Sequence, residues 1–320
     1  MSGTAEYELK PVRFGFGEGV RDLGEKYDNI VVLGADITKS VSLNFFAERF
    51  PERFFSFGIA EQNIAAVAAG LALGGKIPFF STYGVFAAFR SADQIRVSVC
   101  YNNLPVKIGG AHAGISVGPD GATHQALEDI AVMRTLPNMT LLSPADANQA
   151  RLATMAAVEQ VNGPVYIRFG REPVPNFTPY NHEFIVGKAQ VLCEGTDIGI
   201  IATGNMVYHS LKAAELLGRM NIKARVVNLH TIKPIDINTI IETAHQTQAI
   251  VTVEEHQIAG GMGSAVCEVL SQHCPVAVKM MGINDRFGES GQPNELLAKF
   301  QLTPEHIAEK AKELYHQKQK

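Results

Sequence analysis

Short apolar runs rich in β-branched residues alternate along the chain with longer stretches of helical periodicity. The candidate strands of the N-terminal half are NIVVLGAD, PVKIGG, MTLLSP and PVYIRFG. Between them lie helical stretches, of which the clearest are the one after Glu61 and ADANQARLATMAAVEQ. This alternation is typical of a parallel sheet covered by helices. The pattern therefore predicts an α/β fold.

A change in composition and periodicity divides the chain near residue 180. Residues 171–184, REPVPNFTPYNHEF, contain three prolines and no periodicity, which indicates a linker. A second α/β series follows, with DIGIIATG, LKAAELLGRM, KARVVNLHTIKP, QAIVTVEEH and a closing polar helix. We therefore expect two consecutive domains, residues 8–180 and 187–320, each a mostly parallel sheet flanked by helices.

Charge and composition narrow the class of protein. The 320 residues carry a formal net charge of −4 without long blocks of one sign, so no nucleic-acid contact is expected. No apolar run approaches the roughly 20 residues that a membrane span needs, and the first residues lack an apolar signal core. The four cysteines show neither a CxxC pair nor metal-ligand spacing. We expect a cytoplasmic protein with reduced thiols and no metal site of its own.

One carboxylate, Glu61, stands at the head of an apolar helical run in FSFGIAEQNIAAVAAGLALGG. Helical spacing places it on the same face as Ile64 and Ala68. An ionised carboxylate buried without a partner costs several kcal/mol, so a buried Glu61 requires a partner or a proton. The alternative is a solvated acid at a helix N-terminus, which the helix dipole stabilises by ~0.3–1 kcal/mol.

Aromatic and histidine residues supply two further candidate stretches. In TYGVFAAFR, the rings of Tyr83, Phe86 and Phe89 fall on one helix face, either as a plain core stripe or as a surface for a flat heteroaromatic ligand. In GGAHAGISVGPDGATHQALED, His112, Asp120 and His124 lie among glycines after a predicted strand. Parallel sheets build their sites at such strand ends, so this loop is the strongest candidate for proton transfer or anion binding. A loose surface loop is the alternative.

Other familiar signatures are absent or ambiguous. The sequence contains no GxGxxG, no GxxxxGK[ST], no GxSxG and no HExxH, which weakens nicotinamide, P-loop, serine-hydrolase and zincin interpretations. GGMGSA, after a predicted strand of the second series, could bind phosphate. Tight backbone packing or a structural ion site explains it equally well.

Taken in order, seven motifs resemble the C-terminal half of transketolase, namely its pyrimidine-binding domain followed by its C-terminal domain. They are FGIAEQN, STYGVFAAFR, HAGISVGPDGATHQALED, LPNMTLLSPAD, GPVYIRFGR, VEEHQIAGGMGSAV and FGESG. The resemblance spans roughly residues 8–315. It implies transfer of a two-carbon ketol unit from a ketose phosphate to an aldose phosphate through a carbanion on thiamine diphosphate.

The resemblance also implies roles for individual residues. Glu61 matches the glutamate that shares a proton with N1′ of the cofactor's aminopyrimidine, and Tyr83, Phe86 and Phe89 match the rings around it. The residues that match the clamp on the sugar phosphate are Arg13, Ser40, His112 and Arg171. Asp120 matches an acid that reads the sugar C2 hydroxyl, and His124 a proton relay near the reacting oxygens. His112, with Glu61 and His124, is thus expected to be catalytic.

The chain departs from the family in one large respect. It contains no GDG with a downstream asparagine of the kind that holds Mg²⁺ and the diphosphate. The resemblance therefore implies an N-terminal partner subunit that supplies this site, in an α2β2 assembly, with sugar phosphates as substrates. Ser56, where an aspartate is more usual before the glutamate motif, has no interpretation.

Related families supply the alternatives. The β subunits of 2-oxo acid dehydrogenases lack the PDGATHQ stretch and the phosphate clamp. Half of a 1-deoxy-D-xylulose-5-phosphate synthase remains an alternative, although that family typically lacks a histidine at position 112. A non-catalytic subunit that regulates a complete transketolase is the other.

Overall fold

The computed structural model describes residues 7–319, which form two large sheets and one small one. The strands are β1 (Leu9–Pro11), β2 (Ile30–Gly34), β3 (Phe54–Ser56), β4 (Ile77–Tyr83), β5 (Lys107–Ala111), β6 (Thr140–Leu142), β7 (Val165–Arg168), β8 (Pro173–Pro175), β9 (Gln190–Cys193), β10 (Ile198–Ala202), β11 (Ala224–Asn228), β12 (Thr231–Lys233), β13 (Ala249–Gln257) and β14 (Ala277–Ile283).

Helices connect most of these strands. They are α1 (Val12–Lys26), α2 (Asn44–Arg49), α3 (Glu61–Leu73), α4 (Gly84–Phe89), α5 (Ala92–Gln94), α6 (Asp129–Thr135), α7 (Ala147–Glu159), α8 (Met206–Arg219), α9 (Ile237–Thr247), α10 (Met262–His273), α11 (Pro293–Lys299) and α12 (Pro304–Lys318). Within the described range, no helix combines the length and apolarity needed to cross a membrane.

The first sheet has the order β12-β6-β7-β5-β4-β2-β3, and the second has the order β14-β13-β10-β11-β9. All neighbours in the first sheet are parallel except β12 on β6, and all in the second except β9 on β11. The predicted fold, two mostly parallel sheets flanked by helices, is confirmed.

The first sheet is buried on both faces because its central strands are apolar on both. In β4, Phe79 packs with α1, α2 and α7, whereas its neighbour Phe80 packs with α3 and α4 on the opposite face. Parallel strands covered by helices on both sides read as continuous apolar runs for this reason. Gly15 of α1 makes the close approach to α7 possible, since a Cβ there would lie 1.7 Å from the carbonyl oxygen of Ala147.

Two segments follow courses that the pattern did not predict. KARVVNLHTIKP is divided between β11 of the second sheet and β12, which pairs antiparallel with β6 of the first. The proline-rich stretch after residue 171 is also ordered, because β8 pairs with β1 and the Thr178 amide donates to the Asp146 carboxylate. Short edge strands of this kind are set by tertiary contacts rather than by periodicity.

Candidate active site

Parallel topology brings the candidate residues to one edge of the first sheet. Tyr83 ends β4, His112 follows β5 directly, and Arg171 lies just beyond β7. These three strands run in the same direction as neighbours or next-neighbours, so their carboxyl ends meet at one edge.

Glu61 is the first residue of α3 and is only 4% exposed. Its Oε1 accepts hydrogen bonds from Arg90 Nη1 at 3.1 Å and from Thr82 Oγ1 at 3.3 Å. The helix buries Ile64 and Ala68 on the same side as Glu61, as the spacing predicts. The solvated-acid alternative is therefore wrong, and the buried carboxylate has a guanidinium partner.

Arg90 was not found by sequence reasoning. Its guanidinium carbon lies 3.7 Å from the centroid of the Phe86 ring, a cation–π contact. The four-residue spacing between Phe86 and Arg90 does signal that contact, because residues i and i+4 share a helix face. The ion pair with Glu61 spans 29 positions and has no local signal.

The predicted aromatic stripe is divided between two elements. Tyr83 belongs to the strand β4, not to the helix, which begins at Gly84. Its ring lies 5.7 Å from that of Phe86 and 4.2 Å from the imidazole of His112. Phe89 is 52% exposed at the rim of a cleft of about 660 Å³. The cleft is lined by Ile59, Ala60, Glu61, Gln62, Asn63, Phe89 and Arg90.

His112 is buried in the left-handed backbone region, with φ of +53°. Burial, followed by the charges of Arg13, Arg171 and His124, lowers the pKa of His112 to about 3. Its Nδ1 is buried and has no hydrogen-bond partner among residues 7–319. The imidazole is therefore neutral at neutral pH in the unliganded chain, and its unpartnered Nδ1 can hydrogen-bond a substrate oxygen.

Two arginines concentrate positive charge beside His112. The Arg13 guanidinium donates to the carbonyl oxygen of Arg171, and the pKa of Arg13 is lowered by burial and by the charge of Arg171. Arg171 Nη1 lies 3.1 Å from Asp120 Oδ1 and donates to the carbonyl oxygen of Val117 at 3.2 Å. Neighbouring guanidinium groups suit bidentate binding of phosphate.

His124 and Ser40 differ in how closely they join this group. The His124 ring lies 5.4 Å from Phe86 and 5.7 Å from Tyr83, in edge-to-face geometry with both. Its Nδ1 is 2.9 Å from Thr123 Oγ1. Ser40 is exposed in the turn after β2, and in the described structure its side chain makes no hydrogen bond to the other candidates. Ring contacts thus join His124 to Tyr83 and Phe86, whereas no side-chain hydrogen bond within residues 7–319 joins Ser40 to them.

The GGMGSA turn is already filled by the protein's own carboxylate. Glu254 Oε2 and Oε1 accept the amides of Met262 (2.7 Å) and Gly263 (2.8 Å) at the start of α10. Burial raises the pKa of Glu254 to about 7. Of the three interpretations, tight packing is correct. Across residues 7–319 there is no group of three or more His, Cys, Asp or Glu that could hold a metal ion.

Comparison with known proteins gives matches over nearly the whole chain. The family profile described as "Transketolase, pyrimidine binding domain" matches residues 10–176, and "Transketolase, C-terminal domain" matches residues 187–307. A solved split-gene transketolase, described as an inactive β4 tetramer, superposes with a TM-score of 0.90 at 47% identity. The match covers 96% of this chain and 98% of that one.

Curated relatives fall into two groups by length. A putative transketolase C-terminal section from Methanocaldococcus jannaschii is 44% identical, covering 95% of this chain and 96% of the relative. A 6-deoxy-6-sulfo-D-fructose transketolase subunit from Clostridium sp. is 42% identical, covering 93% and 92%. A 1-deoxy-D-xylulose-5-phosphate synthase from Desulforudis audaxviator is 39% identical over 92% of this chain but only 47% of its own length. The chain is thus similar to separate subunits and to half of a longer enzyme.

Proposed function

The chain belongs to the transketolase family, and from this premise we propose that it is the C-terminal subunit of a split transketolase. Together with an N-terminal subunit it transfers a two-carbon ketol unit from a ketose phosphate to an aldose phosphate. The observation that carries this proposal is the position of Glu61. Its buried carboxylate lines an open cleft and pairs with Arg90. Arg90 in turn stacks on the Phe86 ring, which neighbours Tyr83 and His124.

The residues at the cleft fit the aminopyrimidine of thiamine diphosphate, the cofactor that the family uses. A planar nitrogen group, the Arg90 guanidinium, already stacks on Phe86 and hydrogen-bonds Glu61. A ring in that place would meet the same aromatic face and the same carboxylate. Glu61 would share a proton with a ring nitrogen, and Phe86 and Tyr83 would support the ring. When bound, the cofactor supplies the electron sink for ketol transfer.

The sugar phosphates occupy the polar side of the same edge in this proposal. Arg13 and Arg171 bind the phosphate, with Arg171 oriented by Asp120. His112 acts as a neutral hydrogen-bond donor to a sugar oxygen, because its lowered pKa keeps it uncharged. His124, which stands against the Phe86 ring on the side of the glycine-rich loop, is the candidate to move a proton to or from the reacting oxygens.

A partner subunit is part of this proposal because the chain lacks the motif that holds Mg²⁺ and the diphosphate in the family. The sequence contains no GDG with a downstream asparagine, so in this proposal an N-terminal subunit holds Mg²⁺ and the diphosphate, in an α2β2 assembly. The description of the similar split-gene protein, an inactive tetramer of β chains, supports dependence on that partner. The four free cysteines fit a cytoplasmic enzyme.

Reconstitution tests the proposal. The chain is mixed with candidate N-terminal subunits from its own genome, thiamine diphosphate and Mg²⁺, and ketol transfer from xylulose 5-phosphate to ribose 5-phosphate is measured. Transfer only in the mixture is the expected result. Release of carbon dioxide from pyruvate instead would favour the synthase alternative, which the 39% identity over 92% of the chain supports. Binding to a complete transketolase, with no activity in any mixture, would favour a regulatory subunit.

A further inference from the structure

The loop that carries Asp120 and His124 is held from the second half of the chain. We define the substrate loop as residues 112–125. Its Ser116 amide donates to Glu255 Oε1 at 2.9 Å, and Glu255 Oε2 accepts from Asn205 Nδ2 at 3.2 Å. Glu255 lies in β13 of the second sheet and is 3% exposed. Burying a carboxylate this deeply costs free energy unless hydrogen bonds compensate it. The Ser116 amide and the Asn205 side chain supply two such bonds to Glu255.

Gln125 makes the second connection. Its Nε2 donates to the carbonyl oxygen of Ile115 at 3.1 Å, closing the loop on itself, and to that of Glu289 at 3.0 Å, in the FGESG segment. Gly288 is required there, because a Cβ at that position would lie 1.8 Å from Gln125 Oε1. One amide group therefore joins the two ends of the loop to the second half.

The tip of the loop rests on the same segment. A Cβ at Gly121 would lie 2.5 Å from Ser290 Oγ, and one at Gly118 would lie 3.2 Å from Pro293. Gly114, Gly118 and Gly121 all have positive φ, so the loop's own sequence does not select one conformation. Contacts from the second half of the chain must therefore fix the conformation of the loop.

We infer that Glu255 and Gln125 are positioning residues of the active site, through which the second half of the chain fixes Asp120 and His124. The inference rests on the proposed function. Neither side chain faces the sugar-phosphate groups; each acts through the loop backbone. A displacement of about 1 Å in a catalytic group lowers the rate by as much as 10²-fold, so a loop rich in glycine requires this support.

Three variants of the full chain test the inference. Gln125→Met keeps the side-chain volume and removes both hydrogen bonds. Glu255→Leu removes the acceptor, whereas Glu255→Gln keeps an acceptor for the Ser116 amide. Thr247→Val is the matched control, because it deletes the buried hydrogen bonds from Thr247 Oγ1 to the carbonyl oxygens of Thr243 and Ala249, at the end of α9.

The first readout, hydrogen exchange of the isolated chain, does not depend on activity. We expect faster exchange of the amides of residues 113–124 in Gln125→Met and Glu255→Leu, a smaller change in Glu255→Gln, and none in Thr247→Val. Wild-type exchange of the loop in Gln125→Met and Glu255→Leu would overturn the inference, whatever the fate of the proposed function.

The second readout is the split between KM and kcat in the reconstituted complex. Gln125→Met is expected to raise KM for the sugar phosphates about tenfold and to lower kcat/KM by a larger factor. Affinity for thiamine diphosphate, measured by calorimetry, should stay at the wild-type value, and Glu255→Gln should recover most of what Glu255→Leu loses. If the loop exchanges faster while kcat/KM matches that of Thr247→Val, both residues have only a structural role. A wild-type complex without ketol transfer would overturn the proposed function instead.

Discussion

Arg90 donates to Glu61 at 3.1 Å while its guanidinium lies 3.7 Å from the centroid of the Phe86 ring. One planar cation thus covers both the carboxylate and the aromatic face that a pyrimidine ring would use. The buried acid is paired before any ligand arrives, which removes most of the cost of its burial. A ligand that takes this place must displace the guanidinium, which is 46% exposed and free to move toward solvent.

Arg90→Ala should therefore bind a pyrimidine more tightly than the wild-type chain does. We expect 4-amino-5-hydroxymethyl-2-methylpyrimidine to bind the isolated variant at least about threefold more tightly, since no occupant has to leave first. Calorimetry gives the measurement, and Arg96→Ala, an exposed arginine two turns away, is the control. Weaker binding by Arg90→Ala would mean that the arginine helps to hold the ring.

Glu61→Gln tests the carboxylate itself. The amide has the same shape but cannot share a proton as the acid does, so kcat of the reconstituted enzyme should fall by about 10²-fold or more. The fold should be kept, since the substituted side chain can still accept a hydrogen bond from Arg90. Turnover is the measurement, and Glu52→Gln, which changes an exposed carboxylate, is the control. Near-normal turnover of Glu61→Gln would exclude the proposed role.

Arg171→Lys should weaken phosphate binding without abolishing catalysis. The lysine keeps the charge but loses the planar guanidinium, whose Nη1 contacts both the Val117 carbonyl oxygen and Asp120 and whose other N–H groups would bind a phosphate. We expect KM for the sugar phosphates to rise about tenfold and kcat to change little. We also expect inorganic phosphate to compete with the sugar phosphates in the wild type, with a higher inhibition constant in the variant. An unchanged inhibition constant would place the phosphate elsewhere.

Apolar pattern predicts the fold because burial on both faces of a sheet leaves a local signal. The apolar runs of β2, β7 and β10 and the buried face of α3 were all predicted in this way. The contacts that close the site leave no such local signal in the sequence. The pair of Glu61 with Arg90, the return of β12 to the first sheet and the hold of Glu255 on the substrate loop each join positions distant in sequence. The glycine-rich stretch after a predicted strand indicated His112, whereas Arg13 and Arg171 were indicated only by the resemblance of the motifs.

Burial also lowers the pKa of a lysine in the first sheet, and the consequence is a measurable pH dependence of stability. Lys107 begins β5, is 1% exposed and donates from Nζ to the carbonyl oxygens of Val161 (2.9 Å) and Gly163 (2.7 Å). Burial lowers its pKa from 10.5 to about 7. Between these two pH values the unfolded chain binds more protons than the folded one, so stability rises with pH.

Replacing this lysine with an apolar residue of similar length should remove that slope. Relative to Lys107→Met, the free energy of unfolding of the wild type should rise by about 1 kcal/mol per pH unit between pH 7.5 and 9, measured by denaturant titration. Lys76→Met, at an exposed lysine, should keep the wild-type slope. The same slope in Lys107→Met would show that Lys107 stays protonated in the folded chain. In that case the hydrogen bonds to the carbonyl oxygens of Val161 and Gly163 would be enough to stabilise the ammonium charge inside the core.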